Sequence, residues 1–269
     1  MQLRCIFHGA TLQSLFMNLF DNCKPKTFCV QADMNFLGEL AHPNIIRLLG
    51  YCKDEHKRLL VYEYMPNKSL DRFLFTDGPV IGKPLSWGTR LLIMLGVARG
   101  LAFLHLSERI IFRDLKSSNI LLDKDFNAKL GDFGLAKYGP ETWETHLSER
   151  SIGPRGYIAP EFYTTGRLGL KSDIYSFGVV LWESITGKRA LDPSVPGEKQ
   201  NLVDWASIVQ SNRRNLKKIM DPRLEHKYSI QGAFECASLV LRCVANKPTD
   251  RPSSEEVLQS LEQIYALYK

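Results

Sequence analysis

In Arg113-Asp114-Leu115-Lys116-Ser117-Ser118-Asn119 an aspartate is followed by a lysine two positions on and an asparagine five positions on. A loop that folds back between two strands brings these three side chains together. Such a set suits phosphoryl transfer, which needs a carboxylate to orient and deprotonate an attacking hydroxyl. It also needs polar groups that hold Mg²⁺ and phosphate oxygens in place. Thirteen positions after Asn119 stands Asp132-Phe133-Gly134, whose carboxylate supplies a second metal ligand. Asp-Phe-Gly alone is a weak signal; its order with Ala159-Pro160-Glu161 and Asp173 is a strong one.

Elements must position these residues. Apolar spacing at Met34, Leu37 and Leu40 predicts a short amphipathic helix over 31–41, broken by His42-Pro43-Asn44. Residues 45–50 and 58–64 read as strands around a polar turn at Asp54-Glu55-His56. A clear helical period runs over 87–105, and 173–186 is apolar nearly all round, as a helix through a core is. Short strands are expected at 110–112, 120–122 and 128–130, with irregular chain over 137–156. Ser253 and Glu256 form a capping box for a last helix with one apolar face. Residues 1 to about 30 show no dominant period. The fold class is therefore α+β, a small strand-containing part followed by a larger helical one.

Composition narrows the function classes. The chain has 269 residues, 44% hydrophobic and 24% charged, with a net charge of +6, all ordinary for a globular protein. Without a basic block interleaved with aromatics, nucleic acid is not an expected partner. The six cysteines show no zinc spacing and read as reduced thiols. No apolar window of the length of a membrane span is expected, nor a signal peptide, and Gln2 excludes N-myristoylation of the sequence as written.

The motifs above, with Ile120-Leu121-Leu122-Asp123, Asp173-Ile174-Tyr175-Ser176-Phe177-Gly178, Leu59-Leu60-Val61-Tyr62-Glu63-Tyr64-Met65 and Asn201-Leu202-Val203-Asp204-Trp205, resemble a protein-kinase domain. The likeness is greatest to plant receptor-like cytoplasmic serine/threonine kinases. The resemblance implies a two-lobed protein-kinase-like fold. Residues 1–30 would be a divergent segment, 31–66 a truncated N-lobe with its hinge, and 67–269 a mainly helical C-lobe. It implies ATP and Mg²⁺ as cofactors, protein substrates, an upstream receptor kinase as partner, no transmembrane segment, and a cytoplasmic location, peripheral to the plasma membrane through partners. By the same likeness Asp114 is the catalytic base and Lys116 neutralises the transferred group, while favouring serine or threonine as acceptor. Asn119 and Asp132 hold the metal. Tyr62 borders the nucleotide pocket, Glu63 and Met65 offer backbone groups to adenine, and Leu121 lies under the ring. Arg113 pairs with a phosphate on the following segment, best placed at Ser148, and Glu149 supplies a fixed charge beside it.

The sequence departs from that pattern in four places. A single glycine, Gly9, precedes Gln31, so no glycine-rich loop covers the phosphates. Asp33 stands at the family's helix glutamate, yet the lysine it would pair with, expected near Met17, is absent. Lys24 and Lys26 flank Pro25 and read as loop. Phe112 replaces a histidine that packs on the Phe of Asp-Phe-Gly, a tolerable core exchange. Pro154 replaces a threonine, removing a hydrogen bond worth ~1 kcal/mol. These departures give a second reading, a weak or inactive kinase-like domain that binds partners, and a third, a shortened product with an exposed sheet edge.

Overall fold

Strand β4, Arg58–Tyr62, buries both Leu60 and Val61, which point to opposite faces, so it must lie inside a sheet. The computed structural model describes residues 4–7, 16–20, 24–53, 58–75, 83–139, 147–148, 156–192, 201–203 and 213–268. On one side β4 pairs antiparallel with β3, Leu48–Lys53, through a register shift between Leu48 and Gly50. On the other it pairs with β2, Phe16–Phe20, from Phe16↔Tyr62 to Phe20↔Arg58. Strand β1, Arg4–Phe7, adds to the outer edge of β3, giving the order β1-β3-β4-β2. Residues without a readable period thus supply both outer strands. Their pairing comes from the sheet they join, not from alternation of their own.

Helix α1 spans Lys24–Leu37, so it starts well before the expected Gln31. Pro25 sits in its first turn, where a missing N–H leaves no bond unmade, and Lys24 and Lys26 are helical residues rather than loop. The strands also differ from expectation. Ile45 forms a parallel bridge to Leu130 outside β3, and the turn at 54–56 lies outside the described residues. Cys52 is disulfide-bonded, which corrects the expectation of six reduced thiols; Cys236 and Cys243 are free and buried.

The larger part is built around α3, Trp87–Leu106, and α5, Leu170–Thr186. Ser86 caps α3 by accepting from the Thr89 amide, and Gly187 in the left-handed region ends α5. The short helix α2, Asp71–Leu74, precedes α3, while α4, Pro160–Thr165, lies between α3 and α5 and α6, Arg213–Ile219, follows them. The chain ends in α7, Ile230–Cys243, and α8, Ser254–Ala266, the latter with the expected Ser253–Glu256 capping box. α3 packs on α8 and α5, and α5 packs on α7. By length and composition α3 would suffice to cross a membrane, which the sequence reading did not anticipate. Fifteen of its twenty residues are buried in this protein, so it is a core helix.

Two glycines set the distance between the parts. A Cβ on Gly100 would lie 2.9 Å from the Asn44 carbonyl oxygen, and one on Gly96 would lie 2.9 Å from Asn44 Nδ2. Their absence lets α3 touch the His42-Pro43-Asn44 loop. Asn44 Nδ2 donates to Ala128 O, Leu130 N donates to Asn44 O, and Ile46 N donates to Leu130 O. The small sheet is thereby tied to the strand pair that carries the site.

Candidate active site

Four short strands frame the site: β5, Ile110–Ile111, paired with β8, Lys137–Tyr138, and β6, Ile120–Leu122, paired with β7, Ala128–Leu130. Each is too short to stand alone. They are held because Ile110, Ile111, Ile120, Leu122, Ala128 and Leu130 are almost fully buried. Between β5 and β6 the loop from Phe112 to Asn119 is suspended from α5. The buried Asp173 carboxylate accepts from Phe112 N and Arg113 N, both at 2.8 Å, and contacts His105 Nε2 at 3.0 Å. Arg113 takes a left-handed φ of 72°, a conformation a non-glycine residue keeps only when its surroundings hold it.

The structure brings Asp114, Lys116 and Asn119 together. Asp114 Oδ2 accepts from Lys116 Nζ at 2.7 Å and from Asn119 Nδ2 at 2.9 Å, and Asn119 Nδ2 also reaches the Asp114 carbonyl at 2.9 Å. Asp114 Oδ1 is buried and has no hydrogen-bond partner among the described residues. Burial raises the Asp114 pKa; the Lys116 ammonium opposes that, and Asp132 adds to it. Asp114 lines a cleft with Arg113, Leu115, Tyr157, Ala159, Ser172 and Ser176.

Asp132 lies beyond β7, exposed and with φ at 64°. Phe133 beside it is buried and meets Phe112 edge-on, ring centroids 5.0 Å apart, which is the aromatic exchange read from the sequence. Among the described residues no three His, Cys, Asp or Glu cluster as a metal site. The set at hand is instead an amide and carboxylates. Asn119 turns its Nδ2 toward Asp114, leaving its oxygen, and Asp132 lies close enough to raise the Asp114 pKa. Hard oxygen donors with open positions fit a divalent cation that arrives with a phosphate ligand.

Tyr62 ends β4, Glu63 and Met65 follow it, and Leu121 is the middle residue of β6. Tyr62 is half-buried and its side chain hydrogen-bonds Asp33. Glu63 Oε1 accepts from Lys129 Nζ at 2.7 Å and from Arg47 N at 2.8 Å, and Glu63 N donates to Arg47 O. The Met65 carbonyl accepts from Lys68 N. Leu121 packs on Gly131, where a Cβ would meet its Cδ1 at 2.8 Å. Asp33 is buried, and besides the Tyr62 side chain its carboxylate meets the backbone amide of Phe133, which donates to Oδ1 at 2.7 Å. Burial and the charge of Asp132 push its pKa up to about 7.

Arg113 Nη1 donates to Leu135 O at 3.1 Å. Ser148 belongs to a two-residue strand, β9, Leu147–Ser148, paired with β10, Arg167–Leu168, with Ser148 opposite Arg167. Glu149 and Pro154 lie outside the described residues.

Two supports escaped sequence reasoning. Tyr157 donates to Glu183 Oε1 at 2.7 Å, and Ala190 N donates to the same oxygen, linking the chain before α4 to the last turn of α5. Glu183 and Asp173 are the two carboxylates set within the apolar run of that helix, a signal that was there to read. Arg251 forks onto both oxygens of Glu161 at 2.7 and 2.6 Å and also donates to Lys171 O, Ala245 O and Asn246 O. No spacing in the sequence joins residues 161 and 251.

With this geometry in place, comparison with known proteins is specific. The protein kinase domain family matches residues 21–261. "Probable serine/threonine-protein kinase PBL8" of Arabidopsis thaliana is 50% identical over 233 residues, 86% of this chain and 56% of that protein. "Probable serine/threonine-protein kinase PBL2" of the same plant is 50% identical over 238 residues, 88% of this chain and 55% of that protein. The "EPD1-interacting receptor-like cytoplasmic serine/threonine-protein kinase" of Nicotiana benthamiana is 51% identical over 233 residues, 86% of this chain and 50% of that protein. The chain spans about half the length of these curated relatives.

Proposed function

Because the chain belongs to the protein kinase domain family, we propose that it transfers the γ-phosphoryl group of ATP to serine or threonine hydroxyls of protein substrates in intracellular signalling. The observation that carries this reading is the buried Asp114 Oδ1, unpartnered among the described residues, while Oδ2 is tied to Lys116 and Asn119 and the residue lines a small cleft. A carboxylate anchored by one oxygen presents the other to an incoming hydroxyl. As the hydroxyl oxygen bonds to the γ-phosphorus and the bond to ADP breaks, Asp114 Oδ1 takes the hydroxyl proton. Lys116 lies beside that carboxylate and neutralises charge on the phosphoryl oxygens. Asn119 and Asp132 would hold Mg²⁺, which supplies charge neutralisation on the phosphates when bound.

Adenine would meet the Glu63 carbonyl and the Met65 N–H, since the Glu63 amide and the Met65 carbonyl are already bonded within the protein. Tyr62 closes the back of that space and Leu121 its floor. We place the lobe boundary after residue 66 and take 67–269 as the C-lobe. Phosphorylation of Ser148 would bring a charge toward Arg113, adding control to the same site. One named relative is described as a receptor-like cytoplasmic kinase, and a cytoplasmic location with an upstream receptor kinase as partner belongs to this proposal.

The test is transfer from radiolabelled ATP to a serine- and threonine-rich basic protein by the purified chain, followed by phosphoamino-acid analysis. Phosphoserine or phosphothreonine that disappears in Asp114→Asn is expected. Label confined to tyrosine, or transfer equal in Asp114→Asn, overturns the reading.

A further inference from the structure

Strand β1 is four residues long and stands at the end of the sheet, paired with β3 alone. That is near the short end for a strand, and its backbone ladder adds little stability. Its register on β3 is nonetheless definite: Arg4↔Lys53, Cys5↔Cys52, Ile6↔Tyr51 and Phe7↔Gly50. Cys52, only 3% exposed, is disulfide-bonded. The residue directly across the ladder from it is Cys5. Directly opposed residues of an antiparallel pair have Cα atoms about 4.5 or 5.5 Å apart, and a disulfide spans Cα separations of about 4.4–6.8 Å. Register and covalent geometry therefore agree on one pair.

The other cysteines are placed differently. Cys236 and Cys243 are free thiols, buried in α7, which packs on α5. Burial pushes the Cys243 thiol up to about 12 and raises that of Cys236 as well, so neither holds a reactive thiolate. Cys29 belongs to α1 and not to a strand of the sheet, and Cys23 lies outside the described residues.

We propose that a Cys5–Cys52 disulfide is a redox clip on the sheet edge. Oxidised, it holds β1 along the outer side of β3; reduced, it releases β1 and bares that edge. Opening takes a dithiol reductant. One of its thiolates attacks a sulfur of the pair, forming a mixed disulfide and expelling the other cysteine as a thiolate, which takes up a proton. The second reductant thiolate attacks the reductant's own sulfur in that mixed disulfide and expels the remaining cysteine. Two electrons and two protons have then passed to the protein, and the reductant leaves as its disulfide. Closing runs the same exchange backwards with a disulfide of the glutathione class as oxidant. In the cytoplasmic location proposed above, where thiols are held reduced, such a bond is a switched feature and not a permanent one. A bared β3 presents unpaired N–H and C=O groups over 50–53, a template on which an extended segment of another chain adds as a strand.

Two measurements on the full chain test this. After equilibration with oxidised glutathione and alkylation of remaining thiols, peptide fragmentation should locate a link between positions 5 and 52. A link from Cys52 to Cys23 or Cys29, glutathione on Cys52, or an alkylated Cys52 overturns the assignment. Hydrogen exchange tests the clip itself. Dithiothreitol should speed exchange of the amides at 4–7 and 50–53 by about tenfold or more, while those of α5 stay within about twofold. Cys5→Ser should exchange fast with or without reductant, and Cys29→Ser should behave as the parent. The oxidised and reduced parent share one sequence, so their comparison decides the matter even if Cys5→Ser does not fold. Equal exchange in the two states, or a response to reductant that persists in Cys5→Ser, overturns the proposal.

Discussion

The Asp173 carboxylate, 1% exposed, accepts the backbone amide of Arg113 at 2.8 Å across 60 residues of sequence. The loop bearing Asp114 is thus hung from the core helix α5 and not merely from its own strands. Replacing Asp173 with alanine leaves the Phe112 and Arg113 amides without an acceptor, each worth about 1–3 kcal/mol when buried. Asp173→Ala should therefore destabilise the protein by roughly 3 kcal/mol or more in urea unfolding. A loss under about 1 kcal/mol would show that the loop is held by other means.

Asp114→Asn keeps the shape of the Lys116–Asn119 cluster but removes the proton acceptor. The expected result is a fall in kcat of about 10²–10⁴ with the KM for ATP within about threefold of the parent. A large rise in the KM for ATP with kcat preserved would place Asp114 in nucleotide binding and not in proton transfer.

These two residues mark what the sequence made legible. Asp114, Lys116 and Asn119 converge within one loop, so their meeting could be read from short-range spacing, as could the Ser253–Glu256 cap. The apolar all-round run of α5 announced a buried helix. Contacts across long sequence separation were not legible. The Phe133 amide bond to Asp33 and the Arg251 fork on Glu161 depend on how elements pack, and no local period encodes that. Strands β1 and β2 were invisible for a related reason: their pairing is imposed by β3 and β4, and their own residues do not alternate. Helix α1 was read short because Lys24, Pro25 and Lys26 suggest a turn, whereas proline is well suited to a first helical turn.

Arg251 is almost fully buried and binds both oxygens of Glu161, pinning the start of α4 to the chain before α8. Lysine at this position keeps the charge but loses the planar fork and most of the donors to Lys171 O, Ala245 O and Asn246 O. Arg251→Lys should cost about 2–4 kcal/mol, close to the cost of Arg251→Ala. Full stability in Arg251→Lys would mean that charge alone, and not bidentate geometry, holds the pair.

Glu183 gives the protein a pH dependence of defined sign. Burial raises its pKa from an ordinary 4.5 to about 7, with the Tyr157 hydroxyl and the Ala190 amide only partly opposing the shift. Below about pH 4.5 this carboxyl is protonated in folded and unfolded chains alike and contributes no pH dependence. Between 4.5 and 7 the unfolded chain has released the proton and the folded chain still holds it, so the unfolded state binds fewer protons. Stability then falls as pH rises through this window, by roughly 3 kcal/mol from this one group, and levels off above pH 7. Asp33, raised to about 7 as well, adds a slope of the same sign. Glu183→Gln resembles the protonated carboxyl at every pH and still offers an oxygen to Tyr157 and Ala190. Urea unfolding between pH 5 and pH 7.5 should therefore show about half the parent's decline in the variant, with the two proteins nearly equal in stability at the acid end. An identical slope in Glu183→Gln and parent would mean that Glu183 is ionised in the fold across the whole range, and the buried neutral carboxyl would have to be abandoned.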